Sequence, residues 1–244
     1  MSTGEPDTAR VAALLGEPAR ARALMALVDG RALSASVLAG EAGVAASTIS
    51  EHLARLVDAG LLTPERHGRS RYFRLAGPGV AEALEVLARI APTEPVRSLR
   101  PGTRAHALRR ARTCYNHLAG QVGVALLVGL LDGGVLTGGD GTRTAADRLS
   151  APGRDVAYQL TPHGRCRLTD FGVDVDAVLR HRPPIRYCMD WSEQRHHLAG
   201  PLGTAVTERL FTVDWIRRGP RRRTVVLTDA GRRGLREVFG VALP

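Results

Sequence analysis

The chain has 244 residues, with 34 basic and 24 acidic side chains and a formal charge of +10, and all of its basic residues are arginine. Its apolar share of 44% is typical of a chain that folds and stays soluble. The longest apolar run, 122–131, is about half as long as a membrane span, and the polar N-terminus does not resemble a secretion signal. Three sparse cysteines fit a reducing compartment. We therefore expect a cytoplasmic protein without a membrane partner, and the charge favours a polyanion as partner.

The sequence before residue 43 predicts three short helices. Apolar residues recur at helical spacing in Asp7–Leu15 and in Pro18–Val28. Pro18 fits the first turn of a helix, and Gly30 fits the end of one. Ser34 is a suitable residue to begin the third helix.

The segment 38–63 has the strongest pattern in the chain. A short apolar helix is followed by Gly43, which allows a tight turn, and then by a longer helix. A helix, a glycine turn and a crossing helix predict a helix-turn-helix. The apolar face of the longer helix consists of Ile49, Leu53, Leu56 and Val57. Its opposite face carries short polar groups that suit phosphates and base edges in a major groove, and we predict DNA contacts from Ser47, Thr48, Ser50, Glu51 and Arg55, with Ser50 at the edge.

Residues 61–76 predict a β-hairpin that follows this helix. Leu61–Glu65 and Arg71–Leu75 have strand character and flank a turn at Gly68. The tip is basic, and beside a helix-turn-helix a basic hairpin suits phosphate or minor-groove contact, although a solvated tip is the alternative. The predicted contacts of the tip are Arg66, His67, Arg69 and Arg71. A helix over 79–89 completes a predicted domain, 1–91.

This order of elements resembles the ArsR family of winged helix-turn-helix regulators. The resemblance rests on VAALLGEPARARALMALV, STISEHLARLVDAGLL and RHGRSRYFRL, and it covers about the first 90 residues. It implies a homodimeric repressor that binds a short pseudopalindromic operator in double-stranded DNA and responds to a signal. Metal sensors of that family carry clustered cysteines before the recognition helix, or Asp, His and Glu ligands after the wing. Residues 33–46 hold no Cys or His, and 79–91 hold no His, so neither site can be built there.

The C-terminal part carries an internal repeat after a predicted linker, 92–104. Residues 117–137 and 197–217 share HLAG, Gly and Ala at a constant offset of 80, and an LT-x-x-G segment follows each copy. Each copy predicts the order helix, β-hairpin, helix. The predicted fold is therefore α+β, mainly α with small β-hairpins, in which the winged helix-turn-helix is followed by two degenerate winged-helix-like repeats, 105–180 and 181–244. Chance matching of short Ala-, Leu- and Gly-rich strings is the alternative, and 138–154 are predicted to form a loop.

Two C-terminal segments carry chemically reactive side chains. RTCYNHLAG places a cysteine and a histidine three residues apart, on one face of a predicted helix, and YCMDWSEQRHHLAG adds further candidates. Thiolates with imidazoles suit a thiophilic metal, a thiol pair suits a redox switch, and a small organic effector near the tryptophan is another possibility. Buried structural cysteines and histidines are the alternative without a ligand. The candidate effector or metal residues are Cys114, His117, Cys188, Trp191, His196 and His197.

No catalytic signature surrounds these residues, so we do not expect an enzyme. The positive charge also lies outside the predicted DNA-binding domain: residues 1–91 hold ten Arg and ten acidic residues, whereas 92–244 hold 24 Arg and 14 acidic residues. We expect the last hairpin to contact DNA backbone or an acidic partner through Arg221, Arg222 and Arg223. Alternatives for the whole chain are a winged-helix protein-interaction module and a Cys/His-based metal or redox sensor.

Overall fold

The computed structural model describes residues 5–67, 70–91, 104–142 and 158–243, and the fold is mixed α+β, as predicted. The chain divides into two compact units, Met1–Leu84 and Glu85–Pro244. Within the described ranges, no helix is long and apolar enough to cross a membrane. Three predicted features lie wholly or partly outside the described residues: the turn at Gly68 and Arg69, the linker up to residue 103, and the loop from residue 143 onwards.

The first unit contains a three-stranded antiparallel sheet with the order β1-β3-β2, packed among short helices. Its elements are α1 (Thr8–Leu15), α2 (Pro18–Ala26), β1 (Leu33–Ser34), α3 (Ala35–Ala42), α4 (Ala46–Asp58), β2 (Leu62–His67), β3 (Ser70–Leu75) and α5 (Pro78–Ile90), which continues into the second unit. The two-residue strand β1 was not predicted, because it is too short to have an alternation pattern.

The predicted helix-turn-helix is formed by α3 and α4. Gly43 ends α3 with φ of 72°, in the left-handed region that glycine enters without strain, and the chain then turns into α4. Ile49, Leu53 and Leu56 are buried, and α4 packs on α2, α3 and β2. The amphipathic spacing in the sequence therefore places the apolar face of α4 correctly, although Val57 is only half-buried.

The predicted wing is the hairpin β2–β3. Its strands pair in register from Leu62 opposite Leu75 to His67 opposite Ser70. Phe73 and Leu75 point into the core of the unit and are buried. We refer to residues 62–75 as the wing.

The second unit consists of small hairpins and helices around one apolar core. Its elements are α6 (Arg104–Arg110), β4 (Arg112–Cys114), β5 (His117–Ala119), α7 (Gly120–Asp132), β6 (Leu136–Thr137), β7 (Gln159–Leu160), α8 (Pro162–Asp170), α9 (Val175–Leu179), β8 (Arg186–Met189), β9 (His196–Ala199), α10 (Gly200–Thr212), β10 (Ile216–Arg218), β11 (Val225–Leu227) and α11 (Asp229–Phe239). A helix, a hairpin and a helix thus follow one another twice, in α7 to α8 and in α10 to α11. That the two segments arose by duplication stays a prediction.

Both LT-x-x-G segments begin a helix in the same way. The hydroxyl of Thr161 accepts a hydrogen bond from the backbone N–H of Gly164 at 2.8 Å, and that of Thr228 accepts one from Gly231 at 2.9 Å. Each hydroxyl also donates to a backbone carbonyl of the turn after the preceding helix. Both threonines therefore cap their helices and fasten them to the hairpins.

The glycine of each segment permits a close approach of two backbones. A Cβ on Gly164 would lie 2.0 Å from the carbonyl oxygen of Val135, and a Cβ on Gly231 would lie 1.9 Å from that of Trp215. No side chain can be accommodated at these distances, so the repeated glycine has a packing function in both segments.

The hairpin β4–β5 corrects the prediction that Cys114 and His117 share a helical face. The two residues lie directly opposite each other on antiparallel strands. A two-residue turn joins the strands, and its first residue, Tyr115, has φ of 56°. A helix and a two-residue hairpin both bring positions i and i+3 together, which is why the spacing alone did not distinguish them.

The two halves of the second unit pack across one another. Helix α10 contacts β5, and α7 contacts β9. The backbone N–H of Leu118 donates to the hydroxyl of Thr207 at 3.0 Å, across 89 residues of sequence. Each hairpin is therefore covered by the helix that belongs to the other half.

Candidate nucleic-acid interface and a buried cysteine–histidine cluster

Helix α4 presents all five predicted DNA-contacting side chains to solvent, on the face opposite its buried apolar residues: Ser47, Thr48, Ser50, Glu51 and Arg55. The hydroxyl of Ser50 donates to the carbonyl oxygen of Ala46 at 2.8 Å, so its proton is used within the helix. This agrees with its place at the edge of the predicted contact face.

The N-terminus of α4 differs from those of the three helices before it. Asp7, Glu17 and Ser34 each accept a hydrogen bond from the first turn of their own helix. The corresponding residue of α4, Ala45, makes no side-chain cap. The backbone N–H groups of the first turn of α4 therefore remain available to an anion, and a phosphate is suited to that position.

The wing carries two exposed arginines that face each other across the hairpin. Arg66 and Arg71 are directly opposite in the β2–β3 register. Like charges in such a cross-strand pair repel, so a phosphate beside them would relieve the repulsion. The side chain of His67 and the whole of Arg69 lie outside the described residues.

The arginines of the last hairpin do not behave as one surface patch. Arg221 is exposed and Arg222 is half-buried, whereas Arg223 is 5% exposed and forms an ion pair with Glu85. Burial alone would raise the pKa of Glu85, but the guanidinium of Arg223 outweighs it and holds the pKa below its usual value. The charge of Arg223 is thus already paired inside the second unit, and contact of this hairpin with DNA backbone or an acidic partner stays a prediction.

A cluster of four predicted residues forms inside the second unit: Cys114, His117, Cys188 and His197. One nitrogen or sulfur atom from each lies within 4.8 Å of the corresponding atoms of the others. Both histidines and Cys114 are buried, and Cys188 is half-buried. We call these four residues the Cys/His cluster.

The hairpin register explains how the cluster forms. Cys188 lies opposite His197 in β8–β9, as Cys114 lies opposite His117 in β4–β5, and β5 contacts β9. The histidines are 80 residues apart but the cysteines are 74 apart, because eight residues separate Cys188 from His197 and only two separate Cys114 from His117. The two cysteines therefore occupy equivalent positions in their hairpins, although they do not align when the two repeats are superimposed at the constant offset of 80.

A buried carboxylate organises one side of the cluster. Asp190 lies in the loop of the second hairpin, 2.9 Å from the guanidinium of Arg112 and 3.2 Å from Nδ1 of His197. It also accepts a hydrogen bond from the backbone N–H of Gly120 at 2.7 Å. Arg112 was not among the predicted site residues, since nothing in the sequence indicates that this arginine is completely buried.

Two residues of the cluster, Cys114 and His197, have raised pKa values, and the carboxyl beside them has a lowered one. A hydrogen bond with Cys188, burial and the nearby Glu85 together raise the pKa of Cys114 to about 12. Burial lowers the pKa of His197, but the neighbouring Asp190 and Cys114 outweigh burial and raise it to about 9. For Asp190, burial is outweighed by His197 and Arg112, which hold its pKa well below the usual range.

Two predicted residues lie outside the cluster. The guanidinium of Arg112 is 4.4 Å from the ring centre of Trp191. His196 shares a hydrogen bond with the hydroxyl of Tyr158 at 2.7 Å and stacks on Tyr187. Neighbouring residues of a strand point to opposite faces, so His196 cannot join His197 in the cluster.

Comparisons with known proteins cover the two units to different extents. A helix-turn-helix domain family matches residues 15–65. An uncharacterized HTH-type transcriptional regulator of Bacillus subtilis (strain 168), YdfF, is 36% identical over 228 residues, which are 93% of this chain and 94% of that protein. This similarity therefore extends through the second unit.

Similar solved structures match a smaller part of the chain. Reduced HlyU from Vibrio cholerae is 21% identical, with 35% of this chain and 88% of that chain covered, at a TM-score of 0.32. The transcriptional repressor BigR from Xylella fastidiosa is 23% identical, with 36% of this chain and 89% of that chain covered, at a TM-score of 0.33. The homodimeric DNA-binding domain of Mb0332 from Mycobacterium bovis, described as a possible ArsR-family regulator, is 26% identical, with 35% and 86% covered, at 0.30.

Proposed function

We propose that the chain, which belongs to the helix-turn-helix transcriptional regulators, is an ArsR-like homodimeric repressor that binds a pseudopalindromic operator in double-stranded DNA. The observation that carries the proposal is the exposed polar face of α4, which lies opposite the buried Ile49, Leu53 and Leu56. The second unit contributes to dimerisation, to sensing of an effector, or to both.

In this proposal, α4 lies in the major groove of double-stranded DNA. Ser47 and Thr48 stand at its uncapped N-terminal end, where hydroxyl groups reach base edges and backbone N–H groups reach a phosphate. Glu51 and Arg55 follow on the same exposed face. The wing contributes sequence-independent contacts, because Arg66 and Arg71 place two positive charges at one point of the hairpin.

The surface of α1 supports self-association. Six of its eight residues are apolar, but none of the eight is buried in the described chain. An apolar helix without a buried face is typical of an interface, and a second copy of the chain provides an identical helix in a two-fold dimer. Such a dimer would present two α4 helices to the two half-sites of a pseudopalindrome.

The wing is tested by the salt dependence of DNA binding by the full chain. The double variant Arg66→Ala/Arg71→Ala should lower affinity for all duplexes and reduce the slope of log K against log salt by about 2, since each lost phosphate contact removes about 0.9. The matched control is Arg165→Ala/Arg217→Ala, which also removes two charges, but from arginines already paired with Asp176 and Asp214. If both double variants lost the same DNA affinity and the same salt dependence, the wing assignment would be contradicted.

The recognition helix is tested by sequence preference rather than by affinity. Fragments selected from genomic DNA with the purified protein define the operator, and Ser47→Ala and Thr48→Ala should reduce its preference over random duplex. Thr212→Ala, at an exposed threonine of α10 in the second unit, is the control. Failure of the wild-type chain to bind any duplex in a salt-dependent way would favour a protein-interaction module instead.

The repressor role is tested in cells with a reporter fused to the selected operator. Deleting the regulator should raise reporter expression, and a fall would identify an activator.

The dimer is tested by sedimentation, in which Val11→Asp on α1 should convert it to a monomer. Val226→Asp, at an exposed valine of the second unit, should leave the dimer intact.

A further inference from the structure

We propose that the Cys/His cluster is a metal site, in which one thiophilic divalent ion such as Zn²⁺ is held by two thiolates and two imidazoles. The ion joins the two hairpins of the second unit. This inference does not depend on DNA binding, because all four ligands and their supporting residues lie in Glu85–Pro244.

The geometry of the cluster is close to that of a tetrahedral site. Bond lengths of about 2.3 Å to sulfur and 2.0–2.1 Å to nitrogen place tetrahedral ligand atoms about 3.3–3.8 Å apart. The four ligand atoms lie within 4.8 Å of one another. A contraction of about 1 Å in the widest separation would therefore complete the coordination shell, which is within the reach of side-chain rotation.

Both imidazoles have a buried nitrogen that needs a partner. His117 and His197 are 5% and 1% exposed, and Nε2 of each makes no hydrogen bond within the described residues. In each ring the other nitrogen, Nδ1, has an oxygen nearby, from Asn116 and Asp190 respectively. A buried polar atom without a partner costs free energy, and an ion bound to both Nε2 atoms removes that cost.

The charges of the proposed site balance. The thiols of Cys114 and Cys188 each release a proton to solvent, and the two thiolates neutralise the divalent ion. Both imidazoles bind in their neutral form, and in the bound form His197 carries its proton on Nδ1, which lies 3.2 Å from the carboxylate of Asp190. Asp190 in turn pairs with Arg112, so no net charge is left in the interior.

The Asp190 carboxylate also fixes the orientation of one ligand. Ligating histidines usually donate their second N–H to a carboxylate or carbonyl, which sets the tautomer and the direction of the ring. Asp190 occupies that position for His197 and is itself held by the backbone N–H of Gly120. Asp190 is thus a positioning residue of the site and not a ligand.

The two helices that cover the hairpins close the site. A Cβ on Gly123 of α7 would lie 3.7 Å from Cβ of His197, and a Cβ on Gly203 of α10 would lie 3.4 Å from Cβ of His117. Each helix thus packs against the histidine of the other hairpin. Four protein ligands, three of them buried, are characteristic of a structural ion, whereas a catalytic ion keeps an open position.

The wild-type full chain provides the first test. The protein is treated with a chelator under reducing conditions and is then titrated with ZnCl₂ or CoCl₂. We expect one equivalent per chain, and the Co²⁺ form should show the intense visible bands of a tetrahedral site together with thiolate-to-cobalt charge transfer. A reduced, folded protein that takes up no ion, or whose Co²⁺ spectrum shows no thiolate ligand, would overturn the proposal.

Matched variants provide the second test. Cys188→Ser, at the half-buried cysteine, and His117→Gln should lower Zn²⁺ affinity by more than the roughly 10–100-fold that loss of a supporting group costs. The controls, Cys166→Ser and His181→Gln, remove an exposed cysteine and an exposed histidine and should leave affinity unchanged. Circular dichroism establishes that each variant is folded, and the wild-type spectrum decides the question if either is not.

Two further outcomes count against the site. Zn²⁺ uptake that is lost in Cys166→Ser but kept in Cys188→Ser would place the ion elsewhere. A Cys114–Cys188 disulfide in protein purified without reductant, combined with no metal uptake after reduction, would identify a redox pair instead. Loss of DNA binding does not bear on either outcome, so this test and those of the wing are separate.

Discussion

The two units place their functional side chains in opposite environments. In the first, α4 and the wing hold polar groups in solvent over an apolar core. In the second, charged and polar groups are themselves buried, among them Arg112, His117, Asp190, His197 and Arg223. The residues of a surface site contribute little to the packing beneath them. The residues of a buried polar site are themselves part of the packed interior, so they contribute to the stability of the unit. Changes at the two sites should therefore have different consequences: lost binding in the first unit and lost stability in the second.

The largest expected effect is at the buried arginine of the second unit. Arg112→Leu should reduce the free energy of unfolding by about 3–5 kcal/mol, because it removes the guanidinium that pairs with the buried carboxylate of Asp190. The chain has two tryptophans, Trp191 and Trp215, and both are in the second unit. Urea unfolding followed by tryptophan fluorescence therefore reports on that unit alone.

The control for this change is Arg165→Leu in the same unit. Arg165 forms an ion pair with Asp176, but both side chains are largely exposed to solvent. Such pairs contribute about 0–1 kcal/mol. If the two variants unfolded at the same urea concentration, the contrast between buried and exposed charge would fail.

The next effect concerns the glycines at the two helix–hairpin junctions. Gly164→Ala and Gly231→Ala should each destabilise the second unit by about 1–3 kcal/mol, because the new Cβ would overlap a backbone carbonyl. The measurement is again fluorescence-detected unfolding.

Gly40 of the first unit serves as the reference for these glycines. It lies inside α3 with nothing within 4 Å of its Cβ position, so Gly40→Ala should stabilise α3 by about 0.5–1 kcal/mol. Thermal unfolding monitored by circular dichroism measures this gain. A substantial loss at only one of the two junction glycines would show that the junctions are not equivalent.

The smallest effect is expected at the helix caps. Thr161→Ala and Thr228→Ala each remove a cap and a contact to the preceding turn, which should cost about 1 kcal/mol. Ser34→Ala removes the cap of α3, whose hydrogen bond to Val37 is long at 3.4 Å, and should cost less. If all three variants lost the same free energy of unfolding, the threonines at the helix–hairpin junctions would contribute no more than the cap of α3.

The fold of the first unit follows from local patterns in the sequence. The apolar spacing of α4, the turn at Gly43 and the alternation in the wing each depend on residues a few positions apart. The exposed face of α4 could be assigned because it is simply the complement of the buried face. Of its elements, β1 alone escaped prediction, since its two residues are identified only by their pairing with Phe73 and Tyr72.

The Cys/His cluster could be predicted only as a set of candidate residues. Its geometry depends on the hairpin register and on the longer second loop, and neither has a periodic signal in the sequence. The burial of Arg223 also has no signal in the sequence. The residue lies in an arginine-rich hairpin typical of a surface, but it pairs with Glu85, 138 positions away. Long-range partners of this kind become visible only when the chain is folded.

The crossed packing of the second unit has a consequence for synthesis on the ribosome. The first unit is built mainly from neighbouring segments and can fold as soon as its own residues emerge. The hairpin β4–β5 and the start of α7, in contrast, have to wait for Thr207 and Asp190, which lie 89 and 70 residues beyond the groups that they bind. Until then its apolar surface remains uncovered and open to chaperones. The first unit of a nascent chain can thus be complete while the second still lacks the residues that cover its first hairpin.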